Sequence, residues 1–156
     1  MADLSSTIGQ DLARYYQGVA AEVHKLGGPL SDDQFWTRPY PYGNSVGHLV
    51  LHLTGNLSFY IGANVAHNGY VRNRPLEFTD TSRPSKAEVL KKFDEAVAMV
   101  VQTVQKQTEA AWLTAYTAKG EEDAGNRFTI FLRCAAHAYH HVGQMIYLCK
   151  ELERKG

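Results

Sequence analysis

The sequence predicts an all-α fold, a four-helix bundle with long cross-over loops. Apolar residues recur every three or four positions in four long windows, which is the spacing of one face of an α-helix. No window shows the period-two alternation of a strand. The chain has 156 residues, of which 44% are hydrophobic, and this suits one domain with a real core. We therefore interpret residues 1–156 as a single bundle domain.

The first helix is predicted from about Ser5 to Leu26, because apolar side chains recur there on one face. Gly27 and Gly28 provide a stop signal. The next segment is rich in proline and is predicted to be irregular, with room for a short turn that begins at Ser31.

The second helix begins at Asn44 or Ser45, either of which can act as the N-cap. It reads SVGHLVLHLTGNLSFYIGANVAHNG and is apolar on most sides, which is typical of a central, buried helix. Small residues form one stripe along it, and these are Gly47, Gly55, Ser58, Gly62 and Ala66. We prefer tight packing inside the fold as the reason for this stripe, with a dimer contact as the alternative.

A loop rich in Arg, Pro and Asp, YVRNRPLEFTDTSRPS, is expected to cross an end of the domain. Ser85 then caps the third helix, and Glu88 completes a capping box. A shorter element is expected around Trp112, followed by the charged loop KGEEDAGN. The fourth helix is predicted from about Phe128 to Leu152.

Composition narrows the function classes. Lys and Arg together number 16, as do Asp and Glu, so no basic excess favours a nucleic-acid partner. No apolar run is long enough to cross a membrane, and MADLSSTIGQ lacks a signal-peptide pattern. We expect a cytoplasmic protein. Cys134 and Cys149 are predicted on one helix about 22 Å apart, too far to form a disulfide, and reduced thiols fit that compartment.

Histidines supply the strongest chemical signal. The segment HAYHHVGQ holds three of the seven, and His137 and His141 lie one helical turn apart on the apolar face. His140 points away from that face. Two imidazoles at this spacing can bind one metal ion, although core histidines bonded to carbonyls or Tyr side chains are the alternative. The second helix adds His52, and His48 one turn earlier.

The number of ligands separates two kinds of metal site. Three imidazoles from two helices leave a coordination position open, as in catalytic sites, whereas four would close the site. Cys134 lies one turn before His137 and could be a fourth ligand, but a small buried cysteine is the more common reason for such a residue.

The sequence resembles the DinB/YfiT-like superfamily of metal-dependent four-helix-bundle proteins over most of its length. The resemblance rests on NSVGHLVLHLTGN and HAYHHVGQMIYL, with PLSDDQFWTRPYPYGNS and RNRPLEFTD similar to the superfamily's linkers. It implies His52, His137 and His141 as the metal ligands. His48 is not a usual ligand, so we place it on the pocket wall as a catalytic proton donor or acceptor. The alternative is a histidine bonded to the preceding loop.

The resemblance also implies a function. It favours a metal-dependent transferase that uses a low-molecular-weight thiol on small electrophilic organic substrates. A metal-dependent hydrolase and a non-catalytic metal- or ligand-binding protein are the alternatives, and no carboxylate is evident on an inner face to serve hydrolysis. We expect a divalent transition metal, with zinc or nickel preferred over iron or manganese. Similar proteins are often dimeric, so we also expect a homodimer.

Overall fold

The computed structural model describes residues 3–155, and these residues confirm the all-α prediction. Four long helices carry the fold. They are α1 (Leu4–Gly27), α3 (Val46–Leu57), α5 (Lys86–Gln105) and α7 (Arg127–Lys155). Three short helices lie between them, α2 (Asp32–Trp36), α4 (Leu76–Thr79) and α6 (Glu109–Trp112). The predicted and observed bounds of α1 and α7 agree within three residues.

Side-chain caps fix the starts of several helices, as the sequence predicts. The Ser45 side chain accepts a hydrogen bond from the backbone N–H of His48 at the start of α3. A full capping box joins Ser85 and Glu88 at the start of α5. A second box at Ser31 begins α2, where the sequence suggested only a short turn. Each cap satisfies backbone N–H groups that have no partner within the helix.

The predicted second helix differs from the observed one at its C-terminal half. After Leu57 the α-helix continues as a π-helix over Ser58–Ala63 and ends there, six residues before Gly69. The amide of Ala66 donates to the carbonyl of Ile61, five residues back. Such wide turns are rare and occur often at functional sites. Apolar spacing does not distinguish them from α-helix over so short a run.

The long helices pack in a ring around one core. Helix α1 packs mainly against α5 and α7, and α3 also packs against α5 and α7. One buried apolar cluster runs from Ala13 to Leu152 and draws on all four helices. Consequently α3 and α7 face each other across one side of the core, and this contact positions the site described below.

The connecting segments are long, as predicted, and they carry structure of their own. Residues 28–45 contain α2, residues 64–85 contain α4, and residues 106–126 contain α6 and a small hairpin. In that hairpin β1 (Ala115–Tyr116) pairs antiparallel with β2 (Gly125–Asn126). Two-residue strands are too short to show alternation, so the sequence gives no sign of them.

The two stripe glycines that lie on α3, Gly47 and Gly55, are covered by the protein's own chain, whereas Ala66 at the end of the stripe is exposed. A Cβ at Gly47 would lie 2.7 Å from the Trp36 ring, and a Cβ at Gly55 would collide with the Glu77 carboxyl. The glycines therefore allow close packing within the fold, which is the preferred interpretation of the stripe. Among the helices in residues 3–155, none has both the length and the apolar character of a membrane span.

Candidate metal centre

Helices α3 and α7 bring three histidine rings together at their contact. His52 comes from α3, and His137 and His141 come from successive turns of α7. The Nε2 atom of His137 lies 3.2 Å from Nε2 of His52 and 3.0 Å from Nε2 of His141. The ligand atoms of all three rings lie within 4.8 Å of one another. We call these residues the histidine trio.

Burial keeps the two α7 rings neutral. Burial, together with the neighbouring rings of His141 and His52, lowers the pKa of His137 to about 3. The pKa of His141 falls to about 4, again chiefly because of burial. Both values lie well below the ordinary pKa of histidine, so at neutral pH each ring has a free nitrogen lone pair. A neutral imidazole is the form that binds a metal ion.

A carboxylate from outside the long helices orients His52. Oε2 of Glu77 lies 2.8 Å from Nδ1 of His52, so the Nδ1–H group donates to it and Nε2 is left as the free lone pair. Arg72 donates to both oxygens of Glu77, at 2.7 and 2.9 Å. Burial disfavours the Glu77 carboxylate, but the hydrogen bonds from His52 and Arg72 outweigh it, and the pKa of Glu77 lies below its ordinary value.

Sequence reasoning missed Glu77. The sequence suggested that no carboxylate lies on an inner face, yet Glu77 is only 6% exposed. It lies on the one-turn helix α4, within the RNRPLEFTD segment quoted above for its resemblance. A one-turn helix has no periodicity, so the only available signal was a lone acidic residue in that segment.

The two α7 rings differ in their outer partners. Nδ1 of His141 lies 2.7 Å from Oε1 of Gln144, which fixes Nε2 as its free nitrogen. Nδ1 of His137 is buried and has no hydrogen-bond partner within the described chain. Gln144 belongs to the VGQ motif that ends HAYHHVGQ, so this part of the motif orients a ring.

His48 lies apart from the histidine trio. Its Nδ1 atom is 2.6 Å from the Ser45 hydroxyl, and its Nε2 atom is 3.3 Å from the Asp80 carbonyl oxygen. The ring packs edge to face on Trp36. Burial lowers the pKa of His48. The contacts to Ser45 and Trp36 are those of the structural alternative, a histidine bonded to the preceding loop, whereas Asp80 belongs to the segment after α3. The catalytic role of His48 stays a prediction.

Two further candidates also lie outside the trio. His140 is exposed and meets His141 only through ring edges, with the centroids 5.2 Å apart. Cys134 is buried, and burial raises the pKa of its thiol above the ordinary range, which disfavours the thiolate that a metal needs. Cys134 and Cys149 are both free thiols on α7.

A cavity of about 150 Å³ adjoins the trio. Its wall includes His52 and His137, and its other members are Asn56, Tyr60, Arg72, Arg74, Glu121, Arg133 and Cys134. The cavity is therefore polar and rich in arginine, although the sequence gives no indication of its walls because they come from four separate segments. His48 is not among the lining residues.

The donor set fits a divalent transition metal. Nitrogens about 3 Å apart are spaced as neighbouring ligands of one ion at bond lengths of about 2.0–2.1 Å. Hydrogen bonds at the far side of His52 and His141 fix the tautomers that such binding requires. If no ion is bound, the three neutral rings direct their Nε2 atoms at one point. At least one of these nitrogen lone pairs is then left without a hydrogen-bond donor. The trio could hold a metal ion, and imidazole ligands suit several such metals.

Fold and site together define an all-α protein with a histidine cluster able to hold a metal. The chain belongs to the family described as "Protein of unknown function (DUF1572)", whose model matches residues 10–156. That family is DinB/YfiT-like, in agreement with the resemblance seen in the sequence. No curated protein matches the chain.

Proposed function

We propose that the protein is a metal-dependent transferase that joins a low-molecular-weight thiol to a small electrophilic substrate. One observation carries the proposal. His52, His137 and His141 direct three nitrogens to one point beside a cavity, and three protein ligands leave coordination positions for a small molecule. A divalent ion held there would favour the thiolate form of a thiol at neutral pH.

The protein's own residues would prepare the site for this reaction. Glu77 and Gln144 hold His52 and His141 in the required tautomers. The cavity walls position the thiol and limit the water around it. In a displacement reaction the thiolate sulfur forms a bond to carbon as the bond from that carbon to its leaving group breaks, and the thiol proton passes to solvent.

Turnover with a fluorogenic electrophile tests this proposal. Purified protein is loaded with zinc or nickel and mixed with a small thiol and monochlorobimane, whose chloride the sulfur displaces. We expect a rate above the uncatalysed background that falls to background in His137→Ala. A metal-loaded protein that neither binds thiol nor exceeds background would support the third alternative, a non-catalytic metal-binding protein.

A metal-dependent hydrolase is the second candidate, and one observation favours it. The Glu121 carboxylate lines the same cavity as His52 and His137, where a general base for water would be needed. However, Oε2 of Glu121 accepts a hydrogen bond from Arg133 at 2.7 Å. We rank hydrolysis second because this carboxylate is already engaged. Release of p-nitrophenol from p-nitrophenyl acetate without any thiol would favour it.

We also propose that the chain forms a homodimer in the cytoplasm. Since Gly47 and Gly55 are covered within the fold, the stripe on α3 is not available for the contact. Helix α7 offers exposed apolar side chains instead, at Leu132, Tyr139 and Ile146. Light scattering at micromolar concentration should give twice the mass of one chain, and a monomer mass would end this proposal.

A further inference from the structure

One arginine in the cavity wall has no carboxylate partner. Arg72 pairs with Glu77, and Arg133 pairs with both Glu121 and Asp123. Arg74 lies 5.6 Å from the centre of the Phe78 ring and makes no ion pair within residues 3–155. It is exposed, and it is one of the residues that line the cavity. The cavity therefore offers one guanidinium whose charge no acidic side chain balances.

A second polar group in the same wall lacks a partner. Asn56 is only 7% exposed, and its Oδ1 atom is buried without a hydrogen bond from the described chain. A buried acceptor in this state is costly, because it has given up water and gained no donor. The side-chain amide can turn over and bring this oxygen to the cavity, where an N–H or O–H group of a ligand would supply the donor. Arg74 would bind an anionic group of a ligand, and Asn56 would accept a hydrogen bond from a donor group of the same ligand.

The size of the cavity limits the ligand. About 150 Å³ is well below the roughly 300–1,000 Å³ of pockets that enclose drug-sized molecules. Only a group of a few heavy atoms fits. A carboxylate with an adjacent ammonium group has this size, and a guanidinium binds a carboxylate through two parallel hydrogen bonds.

We propose that this cavity binds the α-amino acid group of its ligand, with the carboxylate on Arg74 and the ammonium donating to Asn56. Binding of an amino acid group does not depend on the proposed function, but the identity of the thiol co-substrate rests on it. If the co-substrate is a thiol, it is of the cysteine type, with a free carboxylate and a free amino group. Simple alkyl thiols and amine-only thiols then bind more weakly.

Binding of probes without sulfur tests the cavity independently of metal and turnover. Metal-free protein is titrated with L-serine, with ethanolamine, which lacks the carboxylate, and with 3-hydroxypropionate, which lacks the ammonium. Binding is followed by chemical-shift changes in the protein NMR spectrum. We expect L-serine to bind at least about tenfold more tightly than either analogue, since ethanolamine loses the paired hydrogen bonds to Arg74 and 3-hydroxypropionate loses the bond from the ammonium to Asn56.

Two variants assign the contacts. Arg74→Gln should abolish the advantage of L-serine over ethanolamine, and Asn56→Ala should abolish its advantage over 3-hydroxypropionate. Arg14→Gln is the matched control, because Arg14 is exposed on α1 and lies outside the cavity wall. Equal affinities of the wild-type protein for the three probes would overturn the proposal. An undiminished advantage over ethanolamine in Arg74→Gln would do the same.

A separate comparison keeps the cavity and the thiol reaction distinguishable. On zinc-loaded protein, L-cysteine should bind more tightly than L-serine if a thiol is the co-substrate. Equal affinities for these two would end the thiol proposal, while the amino acid cavity would still stand on the serine series. Loss of L-serine selectivity would end the cavity proposal and leave the thiol proposal to the turnover assay.

Discussion

Oε2 of Glu77 lies 2.8 Å from Nδ1 of His52, and this hydrogen bond ties a segment between two helices to a ring of the histidine trio. Both side chains are buried, with exposed fractions of 6% for the His52 side chain and 7% for the Glu77 side chain. Arg72 forms an ion pair with the other oxygen of the Glu77 carboxylate. A carboxylate behind a metal-binding imidazole raises the basicity of the ligand and fixes the orientation of its ring.

Replacing Glu77 should weaken metal binding. Glu77→Gln keeps the size of the side chain but loses its charge, so we expect the affinity for zinc to fall by about 10- to 100-fold. The variant also leaves Arg72 without its buried partner, which should lower the free energy of unfolding. Competition with a chelating dye measures the affinity. Glu22→Gln, at a surface position on α1, should leave it unchanged, and an equal affinity in Glu77→Gln would show that the carboxylate does not support the ligand.

A methyl group at Gly55 should also weaken zinc binding, because it would displace the Glu77 carboxylate from the α3 side. Gly55→Ala places a Cβ against the Glu77 carboxyl, so either the carboxylate or α3 must move. We expect a loss of about 1–3 kcal/mol in the free energy of unfolding, together with weaker zinc binding. Gly18→Ala is the control, because a Cβ there meets nothing within 4 Å, and alanine should slightly stabilise that helix. Urea denaturation of both variants measures the difference, and equal stabilities would contradict the packing argument.

His137 and His140, both on α7, should behave differently on substitution. His137→Ala should remove most of the bound metal and leave the helical circular dichroism spectrum nearly intact, since the core is otherwise apolar. His140→Ala should retain the metal, because His140 is exposed and lies outside the trio. Elemental analysis of the purified variants measures metal content. Full occupancy in His137→Ala, or a matching loss in His140→Ala, would show that the ligands are misassigned.

His48 offers a test between two roles. Its ring nitrogens contact Ser45 and the Asp80 carbonyl, so His48→Gln should retain metal whether the ring acts on substrate or only holds the loop. Turnover should fall at unchanged stability if His48 is catalytic. Stability should fall at nearly unchanged turnover if it is structural. Parallel measurement of thiol turnover and thermal unfolding separates the two outcomes, and loss of metal would make His48 a ligand after all.

The periodicity of apolar residues predicts which side chains share a face of a long helix. It does not predict which side chains the connecting segments bring to that face. The spacing of His137 and His141 places both rings on one face of α7, and the apolar face of α3 carries His52 toward it. Glu77 lies on a single helical turn, whose position depends on how residues 64–85 fold back over α3. The cavity likewise combines Asn56, Arg74 and Arg133 from three separate segments, and no local pattern relates them.

The link between Glu77 and His52 also has a kinetic consequence. Within residues 66–85 Glu77 is the only buried residue, so this segment has little apolar packing to hold it closed. Such segments open far more often than the long helices around a core unfold. Each opening would free His52 from its carboxylate while α3 and α7 remain packed. The exchange rate of an ion held by the trio would then follow the rate at which this segment opens. The rate of global unfolding would set only a lower limit on that exchange rate.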